Sequence, residues 1–261
     1  MCITEVHGRA VDENGAPFAK GQLVSACGTV QCNPGFTDDT GVFTIPVGFH
    51  IVPGDYSVQV HDRVDLTAFY YALPSGTKGP VVDMGDVRSL AMPATGPELA
   101  VDRAGVPAQS VTSGDVTLDV PGNIYVRLDI ESNLAENTTP GKGRAFRALR
   151  IPDKFVSEFA DPSLGVVAMY ALEPFECSFE VAGVPDVPVN VRLGFVNSAH
   201  IPAGTAVDVL ALGTYIYPDW IPPAAFTKVA KGHVSSDGAR IDLDSGEGLP
   251  YLTWVAIRKT P

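Results

Sequence analysis

Long helical stripes are missing from this sequence. No run repeats apolar residues at i, i+3, i+4 and i+7 beyond a turn or two. The nearest is 153–159, where Phe155, Val156 and Phe159 can share a face. No apolar run approaches the ~20 residues that span a bilayer, and no secretory h-region opens the chain. Charge is sparse at 18%, and acids outnumber bases by 30 to 18 for a net charge of −12. The acidity is spread out: residues 1–90 hold 5 Lys and Arg against 10 Asp and Glu, and the remainder 13 against 20. Such a surface repels phosphate backbones, which argues against nucleic acid as a partner. The local exception is Lys142, Arg144, Arg147, Arg150 and Lys154. These are read as protective charges on a strand edge, with an anion site as the alternative.

Catalytic motifs are missing as well. The five histidines, His7, His50, His61, His200 and His233, form neither H-E-x-x-H nor H-x-H, and no nucleophile elbow, P-loop or dinucleotide glycine motif occurs. His50 and His61 are a candidate metal pair across a hairpin, against the plainer reading of single core or surface histidines. Acidic turns at Asp12-Glu13-Asn14, Asp38-Asp39 and Asp242/Asp244/Glu247 do not match calcium-loop spacing, and are read as side chains capping their own backbone. The expectation is a chain with no catalytic residues, no metal and no cofactor.

What is present is turn chemistry between short alternating runs. Gly 26 and Pro 22 are high. Asp12-Glu13-Asn14-Gly15, Asp38-Asp39-Thr40-Gly41 and Pro53-Gly54-Asp55-Tyr56 each place a glycine where a turn needs positive φ. Between them the runs alternate apolar and polar, the period of half-buried strands. The order G-x-x-x-D-x-x-G-x-P, D-D-T-G-x-F-x-I, P-G-D-Y-x-V-x-V resembles the carboxypeptidase regulatory-like domain, a transthyretin-like β-sandwich found in many secreted proteins. The resemblance covers about the first third of the chain and implies a fold more than a function. Intradiol dioxygenases share that sandwich and hold iron with Tyr and His. Tyr56, Tyr70, Tyr71 and His61 invite the comparison, but their spacing does not reproduce the ligand set. A Lys–Asn isopeptide from Lys20 has no Asn to join between residues 34 and 122.

Cys27 and Cys32 flank four residues, a spacing suited to a disulfide across a tight loop and unsuited to zinc. Cys2 and Cys177 are read as buried thiols or a second bridge. A disulfide implies an oxidising compartment, and the expected location is extracellular or cell-surface. Ile3 already begins a strand pattern, which suggests a chain cut from a larger precursor at a domain boundary.

Residues 81–87 read as a closing strand, and the Pro- and Gly-rich stretch after them as a linker. The expected division is 1–90, a linker at 91–109, and a second β domain over 110–261. Val116–Val120, Tyr125–Ile130, Val189–Leu193, Val207–Leu212 and Leu252–Ile257 all read as strands, with Pro121, Pro152, Pro188 and Pro202 at run ends. The fold class is therefore all-β, two sandwiches in tandem. The succession S-G-D-V-T-L-D-V-P, R-I-P, P-V-N-V-R-L, I-P-A-G-T-A-V-D-V-L-A-L and G-H-V-S-S-D-G-A-R-I resembles β modules of large bacterial surface proteins, distantly similar to ZU-type domains. Some of that family self-cleave at His-Phe-Ser, a tripeptide this chain does not contain.

These resemblances imply a non-enzymatic structural or adhesive role: a stalk, spacer or assembly subunit whose partners are neighbouring domains or copies of itself. Cys2, Ile3, Thr4, Glu5 and Val6 are a candidate strand-pairing segment, either between chains or within their own sheet. The late aromatics Tyr215, Tyr217, Trp220, Tyr251 and Trp254 offer a second reading, a carbohydrate-binding accessory of a secreted hydrolase, with Tyr215, Tyr217 and Trp220 as the glycan platform. A metal-dependent enzyme is the third.

Overall fold

The computed structural model describes the chain apart from residues 1–2, 52–55, 63–64, 75–78, 102–105, 185–186 and 217 and the side chains of 48–50. The protein is all-β, at 47% strand and 8% helix, so strand pairing organises it throughout. It divides into two compact units. The first comprises Met1–Ala91 and Gly213–Ala225, the second Met92–Leu212 and Phe226–Pro261. The stretch expected as a linker is paired for part of its length. Pro97 accepts from the Phe146 N–H and Leu99 donates to Arg144 within the second unit, and Leu99 is fully buried.

The first unit holds β1 (Ile3–Val11), β2 (Leu23–Gly28), β3 (Cys32–Phe36), β4 (Val42–Ile51), β5 (Tyr56–Val60), β6 (Tyr71–Ala72) and β7 (Val81–Arg88). They form a three-stranded sheet, β4-β1-β7, and a four-stranded sheet, β3-β2-β5-β6. β1 runs antiparallel to β4 and parallel to β7. The two-residue period puts Val6 and Ala10 of β1, Phe43, Ile45 and Val47 of β4, Val24 and Ala26 of β2 and Val58 and Val60 of β5 into one apolar cluster. Ile3 to Val6, the candidate donor segment, lies in the central strand of its sheet, where Glu5 faces Pro46 on one side and Val81 on the other. Cys2 lies outside the described residues.

The acidic turns are built as side-chain caps. The Asp12 carboxylate accepts from the N–H groups of Asn14 and Ala16, and Asp38 from the N–H of Thr40 and Val42 and the Thr40 hydroxyl. Those bonds hold the Asp38 carboxyl below the usual range. Gly41, at φ +77°, cannot be replaced, because a Cβ there would sit 2.9 Å from the Ala10 carbonyl. Pro46 and Pro34 both fall on edge strands, β4 and β3, where a missing N–H breaks no ladder. The β7 edge carries a register shift and the Arg9–Asp86 ion pair at 2.8 Å.

The second unit holds β8 (Gln109–Ser113), β9 (Val116–Val120), β10 (Ile124–Arg127), α1 (Ile130–Thr138), β11 (Arg147–Arg150), α2 (Val156–Phe159), β12 (Val166–Glu173), β13 (Ser178–Val181), β14 (Arg192–Val196), β15 (Ala206–Leu212), β16 (Phe226–Val234), β17 (Arg240–Leu243) and β18 (Val255–Lys259). β10 pairs with β13, and the other nine strands form one sheet in the order β11-β12-β18-β15-β16-β17-β14-β9-β8. Its two edges nearly meet: the Ala148 N–H of β11 donates to Ser113 Oγ of β8 at 3.1 Å. The sheet is thus close to a closed barrel, and the buried rings of Tyr170 and Phe195, from strands not adjacent in it, pack with centroids 5.3 Å apart.

α1 replaces the end of an expected strand. Asp129 caps it, accepting from Glu131 and Ser132 N–H. The helix shows no apolar stripe in the sequence because Ile130 and Leu134, 87% and 66% exposed, do not face a core. The turn expected over 153–159 is found as a 3₁₀ turn, Asp153–Phe155, running into α2.

Asp208 sits in the middle of β15, 1% exposed. Its carboxylate meets Lys228 Nζ of β16 at 2.6 Å, Arg258 Nη2 of β18 at 3.1 Å and Thr260 Oγ1 at 3.1 Å. Burial pushes the carboxyl up, but hydrogen bonds from Lys228, Thr260 and Arg258 outweigh it and hold it below the usual range. Three adjacent strands are thereby clasped at one point. Because the folded value is depressed, this stabilisation is whole at neutral pH and is lost as pH falls below about 4. Asp208→Ala is expected to cost about 3 kcal/mol by urea unfolding at pH 7. That difference from the parent should shrink at pH 3; an equal difference at both pH values would refute the clasp.

Candidate functional site

β2 and β5 show one face to the apolar cluster. The other face is polar and also buried. Ser25 and Cys27 of β2 stand beside Gln59 and Ser57 of β5 in the register Ser25↔Gln59 and Cys27↔Ser57, and all four are at most 3% exposed. A polar face of this kind has to find its partners inside the protein. Segment Gly213–Ala225 supplies some of them. The Tyr215 hydroxyl donates to the Cys27 carbonyl at 2.8 Å and lies 3.1 Å from Ser57 Oγ. The Tyr215 ring packs edge-on against buried Tyr70, centroids 5.0 Å apart. At the end of β5, His61 is held by its own N–H to Leu23 and by Gln22 Nε2 donating to its carbonyl. Its Nε2 lies 2.6 Å from Ser25 Oγ, which is 3.1 Å from Cys27 Sγ. Cys27 and Cys32, facing positions on β2 and β3, are joined as the expected disulfide.

Serine, imidazole, disulfide and phenol thus form one layer in the first unit. His61 was singled out as half of a metal pair; its Nε2 meets Ser25 Oγ, and the side chain of His50 lies outside the described residues. Ser25 was missed. In L-V-S-A-C-G it is a single polar residue in an apolar strand, and its partner is 36 residues away. No motif links the two.

The other candidates have varied surroundings. Tyr251 and Trp254 are fully buried in the second unit, Tyr215 spends its hydroxyl inside the first, and Tyr217 lies outside the described residues. Among the described residues of the glycan platform, Trp220 is exposed, at 36%, and Tyr215 is half-buried. The acids of 242–247 turn to different partners: Asp242 to Arg240, Asp244 to His233 and Glu247 to the Lys231 N–H. Among the described residues, no group of three His, Cys, Asp or Glu side chains is arranged to hold a metal. Arg144 pairs with Glu98 and Glu136, Arg150 with Asp153, Arg147 is buried and donates to the Pro93 carbonyl, and Lys154 lies over the Phe155 ring. Those basic residues are engaged within the protein. Cys177 is a free, buried thiol, pushed well above its ordinary value by burial and by Asp129 and Glu173. Lys20 pairs with Asp39 at 3.6 Å. No helix among the described residues is long and apolar enough to cross a membrane.

No family model matches the chain, and no curated protein matches it in sequence. Two solved structures are distantly similar to the chain. One is described as a "putative carbohydrate binding protein" from Bacteroides uniformis ATCC 8492, 12% identical over 98% of both chains with a TM-score of 0.21. The other is the TIE protein of Bacillus anthracis, 12% identical over 93% of this chain and 44% of that one, with a TM-score of 0.24. Likenesses this distant say nothing about what the layer does.

Two outcomes follow from the layer. Tyr215→Phe leaves the Cys27 carbonyl and the Ser57 hydroxyl short of a partner, and should lower stability by about 1–3 kcal/mol in chemical unfolding. Opening the disulfide closes out only a short loop, so its loss should cost about 2 kcal/mol with the circular dichroism spectrum unchanged. Global loss of strand signal on mild reduction would contradict this.

Proposed function

We propose that the protein is a non-enzymatic structural or adhesive component of an extracellular or cell-surface structure, a spacer, stalk or assembly subunit. In this reading the first unit is a sandwich of the carboxypeptidase regulatory-like kind, and the second is of the ZU-like kind. One observation carries the proposal. The first and last strands, β1 and β18, are each bonded on both sides, β1 between β4 and β7 and β18 between β12 and β15. Force entering along either strand is met by two ladders in shear instead of one bond at a time. The disulfide supports an oxidising compartment.

Neighbouring domains or further copies remain the proposed partners. Edge pairing is a poor route for them at β3 and β4, which carry Pro34 and Pro46, and Ile3–Val6 is already used within its own sheet. Side-chain surfaces are the better route.

Single-molecule pulling of the full chain by its two ends tests the role. Unfolding forces should lie well above those of a helical protein of equal length pulled at the same rate, and a glycan array should show no selective binding. Low unfolding forces together with selective glycan capture would overturn the proposal in favour of a carbohydrate-binding accessory.

A further inference from the structure

The polar layer holds the disulfide asymmetrically. Cys32 opens β3 on the exposed side of the hairpin, whereas Cys27 is 2% exposed and faces the layer. A disulfide sulfur carries no proton, so where Ser25 Oγ meets Cys27 Sγ at 3.1 Å the hydroxyl is the donor. When His61 Nε2 carries a proton it donates to Ser25 Oγ across 2.6 Å, and the serine O–H is left to point at sulfur. This donor chain ends on one chosen sulfur of the pair. Its far end, His61, is half-buried and reaches solvent. An alanine beside Cys27 would meet the needs of packing; a hydroxyl backed by an imidazole adds a means of stabilising negative charge.

We infer that Cys27–Cys32 is a thiol-exchange site for small external thiols, with Cys32 as the sulfur attacked and Cys27 as the leaving group. A thiolate attacks Cys32 Sγ, the sulfur it can reach. A new S–S bond forms there as the Cys27–Cys32 bond breaks, and the electron pair leaves on Cys27 Sγ. One thiolate enters and one is released, so no further oxidant or reductant is needed. The Cys27 thiolate accepts the Ser25 O–H bond, itself supported by His61. The β2–β3 ladder from Leu23↔Phe36 to Cys27↔Cys32 keeps the two sulfurs adjacent, so Cys27 can attack the mixed disulfide and restore the starting bond.

Reduced glutathione serves as the probe. The full chain is incubated with it, quenched in acid, alkylated with N-ethylmaleimide and mapped by peptide mass spectrometry. Glutathione is expected on Cys32 and maleimide on Cys27, with the Cys32 adduct exceeding a Cys27 adduct by about ten-fold or more, as a hydrogen bond to charge allows. Ser25→Ala should slow opening by about ten-fold, and Ser25→Thr, which keeps the hydroxyl, should restore most of the rate. Adducts divided evenly or favouring Cys27, or a Ser25→Ala variant that opens at the parent rate, would overturn the assignment. If Ser25→Ala does not fold, the position of the adduct on the parent chain decides alone.

Discussion

A strand buried on both faces must solve two different problems, and the four-stranded sheet of the first unit solves one on each side. Val24, Ala26, Val58 and Val60 bury apolar surface against the opposing sheet. Ser25, Ser57 and Gln59, on the other side, gain nothing from burial unless each polar atom is bonded. That requirement fixes the place of Tyr215, whose hydroxyl serves both Cys27 and Ser57, and through it the place of Gly213–Ala225. Ser25 and Cys27 lie within the same covered face, with half-buried His61 and exposed Cys32 at its margins.

The second unit buries polarity by a different means. Its nine-stranded sheet holds one carboxylate, Asp208, against two cations and a hydroxyl drawn from neighbouring strands and the chain just beyond β18. A neutral layer of hydrogen bonds tolerates loss of one member at modest cost. A buried charge does not, because what remains is an unpaired ion. The two units therefore differ in which change they can absorb, although both are built from strands of similar length and pattern.

Much of this was legible in the sequence where cause and effect are close together. Asp12, Asp38 and their glycines act within four residues, and Cys27 and Cys32 face each other across one hairpin. Period-two runs such as Val6–Ala10 and Val207–Leu212 announce strands because side-chain direction alternates with position. Legibility fails where partners are far apart. Asp208 reads as the polar beat of a half-buried strand, yet its face is covered, and Lys228 and Arg258 reveal that only in three dimensions. Ser25 and His61 share no spacing rule. Sequence proximity does not sort the late aromatics: Tyr251 and Trp254 are buried in the second unit, while Tyr215 and Trp220 belong to the first. α1 was hidden for the opposite reason, since its signal is a cap at Asp129 and not a stripe.

The membership of Gly213–Ala225 in the first unit has a consequence for the order in which the chain can mature. On a ribosome, Met1–Ala91 emerges early with its strands complete and its apolar cluster ready to form. The cover for its polar face does not exist until β15 of the second unit has been synthesised. Until then the Cys27 carbonyl and Ser57 are without Tyr215, and the thiols of Cys27 and Cys32 lie under an unfinished surface. Oxidation of the hairpin is therefore free to precede closure, and the first unit, although begun earlier, is complete only after most of the second has been made.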